Sequence, residues 1–116
     1  IARAMNAKNL AGVRFEAVTR RIGRGQKYGG ETIPMIRMVV TDRNAVRSSE
    51  VGAHLLREIY SRHSASVRFQ PRGLEELSGS RALRNAVQRG GVDALVGEWR
   101  AASRRFADRG GEWRLY

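Results

Sequence analysis

Two stretches of the chain alternate apolar and polar residues, which is the pattern of half-buried β-strands. A loop with glycines at positions 23, 25, 29 and 30 separates them. If the strands pair as a hairpin, the register that opposes Phe15 with Met38 also opposes Glu16 with Arg37 on the other face, a favourable charge pair. The alternation therefore predicts an antiparallel pair in the register Val13 with Val40, Phe15 with Met38 and Ala17 with Ile36.

Apolar residues at helical spacing predict helices on both sides of the hairpin. Residues 1–10 look like the end of a helix that stops at Gly12. Ser48 or Ser49 can cap a second helix, and Ser80 can cap a short third one that ends at residues 90–91. The stripe of the second helix consists of Val51, Leu55, Leu56, Ile59 and Tyr60. That of the third contains Leu83 and Val87.

The last helix is predicted to end at Gly110-Gly111, and two short segments favour strands. The stripe of that helix consists of Val92, Leu95, Val96, Trp99, Ala102 and Phe106. The strand candidates are residues 66–70, closed by Pro71, and residues 113–116. The pattern as a whole predicts a single α+β domain over residues 1–116, in which a small antiparallel or mixed sheet packs with about three to four helices.

Length and composition limit the class of protein. A chain of 116 residues can bury roughly two thirds of its unfolded surface in one core. No apolar run approaches the ~18 residues of a membrane span, and no signal-peptide pattern opens the chain. Because a helical pattern is already under way at Ile1, we expect a piece of a longer protein whose upstream part is missing. The absence of cysteine excludes disulfides and leaves the compartment undecided.

The chain is strongly basic, with a net charge of +11 from 22 basic and 11 acidic residues. All the basic residues except Lys8 and Lys27 are arginines, whose planar forks suit carboxylate and phosphate groups. The charge favours an anionic partner. The alternative is that a GC-rich genome favours arginine codons and that the arginines are only solvated surface residues. One alternative function is therefore a small nucleic-acid-binding module, whose affinity would fall steeply with salt.

The acidic residues do not predict a catalytic couple. Glycoside hydrolysis usually needs two carboxyl groups about 5 to 9.5 Å apart. Glu75 and Glu76 are neighbours, whose side chains point in different directions on a regular element. Glu31 and Asp42 are about 36 Å apart along a straight strand at about 3.3 Å per residue, and Asp42 has the position of a turn-forming residue. The sequence leaves open whether carboxylates from two different secondary-structure elements form such a pair.

Other signals of chemistry are weak. His54 and His63 match no metal-ligand spacing, so we expect both at the surface or at a helix end. The glycine-rich loop lacks the Gly-Lys-Ser/Thr and G-x-G-x-x-G patterns of phosphate loops. It is either a flexible hairpin tip or an anion-binding loop that uses Arg24 and Lys27.

Two further patterns have structural explanations. Arg-Gly-Gly triplets begin at Arg89 and Arg109, and both predict helix ends rather than RNA contacts. Trp99 and Phe106 lie on an apolar stripe, so we expect them in the core rather than as base-stacking platforms.

Several short motifs, in order, resemble the C-terminal domain of the bacterial exo-β-N-acetylmuramidase (NamZ-type) family, formerly a domain of unknown function. They are Leu10-Ala11-Gly12-Val13-Arg14-Phe15, Lys27-Tyr28-Gly29-Gly30-Glu31, Val40-Thr41-Asp42-Arg43, Gly52-Ala53-His54-Leu55-Leu56, Leu77-Ser78-Gly79-Ser80 with Leu83 and Arg84, the Trp99 to Phe106 spacing, and the Leu115-Tyr116 end. Residues 32–35 read Thr-Ile-Pro-Met, where many members show Cys-x-Gly-Val, so no role of that segment is carried over.

The resemblance implies a two-domain glycosidase that releases terminal N-acetylmuramic acid from peptidoglycan fragments of the bacterial cell wall. A larger N-terminal Rossmann-like domain would carry catalysis, with the cleft where the two domains meet. This chain would be the auxiliary domain, with no catalytic residue, cofactor or metal of its own and no hydrolase activity in isolation. A periplasmic or extracellular location would suit such an enzyme.

The resemblance also leads to a hypothesis about binding residues. Muramic acid carries a lactyl carboxylate, which a basic domain can help to hold. We expect Arg24, Lys27, Tyr28 and Arg43 to face the interdomain cleft and bind substrate. The partners would then be the N-terminal catalytic domain and peptidoglycan fragments. A domain that stabilises its enzyme without touching substrate is the remaining alternative, which the sequence does not separate from a cleft-lining role.

Overall fold

The computed structural model describes residues 1–70 and 72–110, which form five helices and one two-stranded sheet. This confirms the predicted α+β class, with one helix more than expected. The elements in order are α1 (Ala2–Ala7), β1 (Val13–Arg21), β2 (Thr32–Val40), α2 (Ser48–His63), α3 (Gly73–Ser78), α4 (Ala82–Arg89) and α5 (Val92–Gly110). The chain divides into two compact units, Ile1–Glu58 and Ile59–Tyr116, here called unit 1 and unit 2.

The hairpin forms in the predicted register. β1 and β2 pair antiparallel, with Phe15 opposite Met38 and Glu16 opposite Arg37. A guanidinium nitrogen of Arg37 lies 3.5 Å from a carboxylate oxygen of Glu16, and one of Arg14 lies 2.7 Å from the other oxygen. Because both arginines are exposed, each pair contributes only about 0 to 1 kcal/mol to stability.

The hydrophobic core of unit 1 forms where α1, β1 and α2 meet. Met5, Phe15 and Val51 are buried at its centre. Partly buried apolar side chains pack around them, namely Ile1, Ala2, Leu10, Val13, Ile36, Val46 and Leu55. The core therefore covers the face of the hairpin that the alternation marks as apolar, although Met38 and Val40 on the same face are half exposed.

Asn6 attaches α1 to the edge of β1. Its side-chain amide donates to the Phe15 carbonyl at 2.8 Å and accepts from the Phe15 N–H at 2.8 Å. Both backbone groups of an edge residue are thereby satisfied.

Pro34 fits into β2 without the loss of a hydrogen bond between the strands. Along an antiparallel pair, residues alternately point their backbone N–H and C=O groups towards the partner strand and away from it. Phe15 points its groups away from β2, and so does Thr19, four residues on. Pro34 lies opposite Thr19, so the N–H that proline lacks would also point away from the partner strand.

Unit 2 contains α3, α4 and α5, with contacts between α3 and α4 and between α4 and α5. The predicted end of α4 at Gly90 is confirmed, since the Gly90 N–H donates to the Ala86 carbonyl at 3.0 Å. The predicted Ser80 cap is wrong by one residue, because Arg81 is the N-cap and its side chain makes no cap bond. The Ser80 hydroxyl, one residue earlier, accepts from the Ala82 N–H at 3.3 Å. The buried apolar side chains of unit 2 are Leu83, Ala86, Val87, Val92, Leu95 and Val96.

Two further predictions for unit 2 are wrong. Residues 66–70 form no strand, because the N–H groups of Ser66 and Val67 bond to the His63 carbonyl and extend the end of α2 as a turn. Phe69 stacks on Tyr60 at 5.7 Å between ring centroids.

The second wrong prediction concerns α5. Phe106 is 74% exposed, because only the first half of the apolar stripe is buried and Trp99 is already half-buried. The predicted closing strand at residues 113–116 lies outside the described residues. Of the described helices, none combines the length and the apolar character that crossing a membrane requires.

Candidate functional site

Residues 22–31 join β1 to β2 and are here called the hairpin tip. The tip is closed by backbone hydrogen bonds from Ile22 to Glu31 at 2.8 Å and from Gly30 to Ile22 at 2.9 Å. Three further backbone bonds, at 3.1, 2.9 and 3.1 Å, form turns inside it. The tip is therefore a folded, internally hydrogen-bonded loop.

A close backbone approach fixes the shape of the tip. A Cβ atom added to Gly29 would lie 2.5 Å from the Arg24 carbonyl oxygen and 2.9 Å from its carbonyl carbon, so only glycine allows this contact. Tyr28 has a left-handed backbone with φ of 66°, which is uncommon for a residue other than glycine. The approach brings the backbone of Arg24 beside Tyr28 and Gly29.

Three of the four predicted binding residues lie together on this tip. Arg24, Lys27 and Tyr28 are all exposed. The Lys27 ammonium lies 5.0 Å from the centroid of the Tyr28 ring, a cation–π distance. Within the described part of the chain, neither Arg24 nor Lys27 has a carboxylate partner. The tip thus presents an aromatic ring and two exposed cations.

Arg43, the fourth predicted residue, lies at the opposite end of β2. Asp42 accepts the Asn44 N–H at 2.9 Å through its own carboxylate, which confirms its predicted role as a turn former. Arg43 is exposed beside it. The nine residues of β2 span about 30 Å at about 3.3 Å per residue. The structure therefore does not bring Arg43 near the tip, and one sugar cannot contact both.

Three of the acidic residues considered from the sequence lie at the ends of β2 or in an ion pair. Glu31 and Asp42 lie at opposite ends of β2, so they form no couple with each other. Glu75 lies 3.0 Å from the Arg84 guanidinium. Across residues 1–70 and 72–110, no group of three or more histidine and carboxylate side chains is arranged to hold a metal ion.

The expectation for His54 is wrong, whereas that for His63 is confirmed. His54 is only 5% exposed in the middle of α2, as is Glu50 one turn before it. His54 follows the buried Val51 by three residues, which places both on one helix face. That spacing in the sequence indicated that His54 would be buried. His63 is exposed and is the last residue of α2.

A cavity in unit 2, beside α3 and α4, was also missed. α3 itself was not predicted, because its six residues carry too short an apolar pattern to indicate a helix. The arginines that line this cavity are scattered in the sequence and become neighbours only when the α3–α4 turn forms.

Comparison with known proteins gives one family. The model of the family described as "Exo-beta-N-acetylmuramidase NamZ, C-terminal" matches residues 1–116, the whole chain. No curated protein and no solved structure gives a significant match.

Proposed function

Because the chain belongs to the family of C-terminal domains of the exo-β-N-acetylmuramidase NamZ, we propose that its hairpin lines the substrate cleft of a peptidoglycan-degrading glycoside hydrolase. Membership in this family implies that the chain is an auxiliary domain of an enzyme that acts on peptidoglycan. In the proposal, an N-terminal catalytic domain of the same protein provides the reacting groups, and this chain helps to hold the terminal N-acetylmuramic acid.

The folded hairpin tip is the observation that carries this proposal. A pyranose ring presents C–H groups that pack on an aromatic face, and the exposed Tyr28 offers such a face. The lactyl group of muramic acid carries a carboxylate, for which Arg24 and Lys27 are suitable charge-assisted donors. Since the tip is held by its own backbone bonds, little ordering of the loop would accompany binding.

Arg43 would act at a second point along the same wall. Its distance from the tip suits a contact with another part of a longer glycan or with the catalytic domain, rather than with the same sugar. We therefore assign the tip to the terminal sugar and Arg43 to a separate contact.

Removing the cations of the tip should weaken substrate use. In the protein that carries both domains, the double variant Arg24→Ala/Lys27→Ala should lower kcat/KM for an N-acetylmuramic acid glycoside about tenfold, since charge-assisted hydrogen bonds are lost. Arg43→Ala should lower it less. The measurement is steady-state kinetics with the substrate and with the matching N-acetylglucosamine glycoside, which lacks the carboxylate.

The matched control removes two positive charges elsewhere. Arg104→Ala/Arg105→Ala lies on the exposed part of α5 and should leave kcat/KM unchanged. Equal kinetics of the tip variant and the wild type, with equal stability, would show that the tip does not bind substrate.

A second prediction tests the shape of the tip without changing any charge. Gly29→Ala places a methyl group against the Arg24 backbone, whereas a Cβ atom on Gly25 meets no other atom within 4 Å. Gly29→Ala should therefore raise KM severalfold while Gly25→Ala leaves it unchanged. Similar KM values for the two variants would show that the arrangement of the tip has no part in binding.

A further inference from the structure

The cavity beside α3 and α4 has a volume of about 740 Å³, within the range of about 300 to 1,000 Å³ for small-molecule sites. Its residues all belong to unit 2. The turn that joins the two helices borders the cavity and is fixed by the Ser78 hydroxyl, which lies 2.7 Å from the Leu74 carbonyl and 2.9 Å from the Ser80 carbonyl. Gly79, with φ of 72°, ends α3 in the left-handed conformation that glycine favours.

One charged pair in the cavity lining is internally balanced. Arg84 of α4 lies 3.0 Å from the Glu75 carboxylate of α3 and donates to the Gln70 carbonyl at 2.9 Å. The two side chains are only 24% and 18% exposed. The pair fixes the Arg84 guanidinium in place, and its two charges largely cancel for a ligand in the cavity.

The remaining charges in the lining are not balanced. Arg72 precedes α3, Arg81 precedes α4, and Glu76 lies in α3. All three are exposed, and none has an ion-pair partner in the part of the chain that the structure describes. Two guanidinium groups therefore face one carboxylate, which leaves an excess of one positive charge.

We propose that this cavity binds the carboxylate group of a small ligand through Arg72 and Arg81. A guanidinium fork matches the two oxygens of a carboxylate. Ser80 and Asn85 also line the cavity and carry groups able to donate hydrogen bonds. The single excess positive charge matches a monoanionic carboxylate better than a phosphate group, which carries about −1.5 to −2 near pH 7.

This site is separate from the hairpin tip in sequence and belongs to the other unit. It does not depend on the proposed function of the hairpin. Binding to the purified chain that the Arg72 and Arg81 variants weaken tests the cavity, whereas kinetics of the Arg24 and Lys27 variants in the protein with both domains tests the tip, so failure of one leaves the other standing.

The test is a calorimetric titration of the 116-residue chain at low ionic strength, where screening is weakest. The probes are N-acetylmuramic acid, N-acetyl-D-alanine, inorganic phosphate and N-acetylglucosamine, the last being uncharged. We expect one or both carboxylates to bind more tightly than phosphate, and N-acetylglucosamine not to bind. Binding of both carboxylates would mean that the carboxylate alone is recognised, and binding of N-acetylmuramic acid alone that the sugar contributes as well.

Charge variants locate the site. Arg72→Gln and Arg81→Gln should each weaken carboxylate binding about tenfold, the loss expected for one charge-assisted contact. Glu76→Gln should strengthen it severalfold, because a repulsive charge is removed. Arg89→Gln removes the same charge at the other end of α4, outside the cavity, and should change the affinity less than about twofold.

Circular dichroism of each variant establishes that it is folded. Should Arg81→Gln not fold, the opposite response of Glu76→Gln still tests the site. The proposal is overturned if no carboxylate binds, if phosphate binds more tightly than both carboxylates, if Glu76→Gln does not strengthen binding, or if Arg89→Gln weakens binding as much as the variants in the cavity.

Discussion

Gly12→Ala is expected to lower the free energy of unfolding of unit 1 by about 3 kcal/mol. Gly12 has φ of +72°, a conformation that strains an alanine. A Cβ atom there would collide with the Asp42 carbonyl oxygen and lie 2.7 Å from the Val46 nitrogen. Both are backbone atoms, so no side-chain rotation relieves the contact. The Gly12 carbonyl also accepts the Thr41 N–H at 2.9 Å.

The matched control for Gly12→Ala is the same substitution in a helix. Gly52 lies within α2, and a Cβ atom there would meet no other atom within 4 Å. Gly52→Ala should raise stability by about 0.5 to 1 kcal/mol, because alanine loses less backbone entropy in a helix. Urea unfolding followed by circular dichroism measures both. If Gly12→Ala were as stable as Gly52→Ala, the close approach at Gly12 would not exist in solution.

The pairing and register of the hairpin could be predicted because the residue patterns of its two strands determine them. The alternation around Phe15 and Met38 fixes which residues share a face, and a shift of one residue would have reversed both faces. The cross-strand pair of Glu16 and Arg37 selects the same register, and the structure has both. Sequence patterns of this kind suffice wherever the alternation within two strands and the charges on them agree on one register.

The wrong predictions concern features that depend on contacts with other parts of the fold. Residues 66–70 have the composition of a strand, but no strand in the described residues pairs with them, so Phe69 packs on Tyr60 instead. Exposure of Phe106 likewise depends on how much of α5 is covered, which the local pattern does not determine. Burial of His54 is a different case, because its spacing from Val51 on one face of α2 indicated it.

The candidate site was predicted in part for the same reason. Arg24, Lys27 and Tyr28 are close in sequence, and the loop between two paired strands keeps them together. Arg43 lies beyond the far end of β2, and that strand separates it from the other three residues. The expectation of one domain over residues 1–116 stays a prediction, since the family model spans both compact units.

Phe15→Ala is expected to have the largest effect on unit 1, a loss of about 3 to 5 kcal/mol in the free energy of unfolding. Phe15 is 4% exposed and packs in the core with Met5 and Val51, so its removal leaves a cavity where α1, β1 and α2 meet. The substitution leaves the hydrogen bonds between the Asn6 side chain and the backbone of residue 15 in place. The loss would therefore report on packing rather than on pairing of α1 with β1.

The cross-strand partner of Phe15 provides the matched control. Met38 lies directly opposite on β2 but is 50% exposed, so Met38→Ala should cost less than about 1 kcal/mol. Urea unfolding followed by circular dichroism compares the two variants. A similar loss for both would mean that this face of the hairpin is covered evenly, and the core would then extend along β2 towards its end at Val40. A large loss for Phe15→Ala alone would place the support of the hairpin at α1 and α2, and leave Met38 and Val40 as exposed apolar surface.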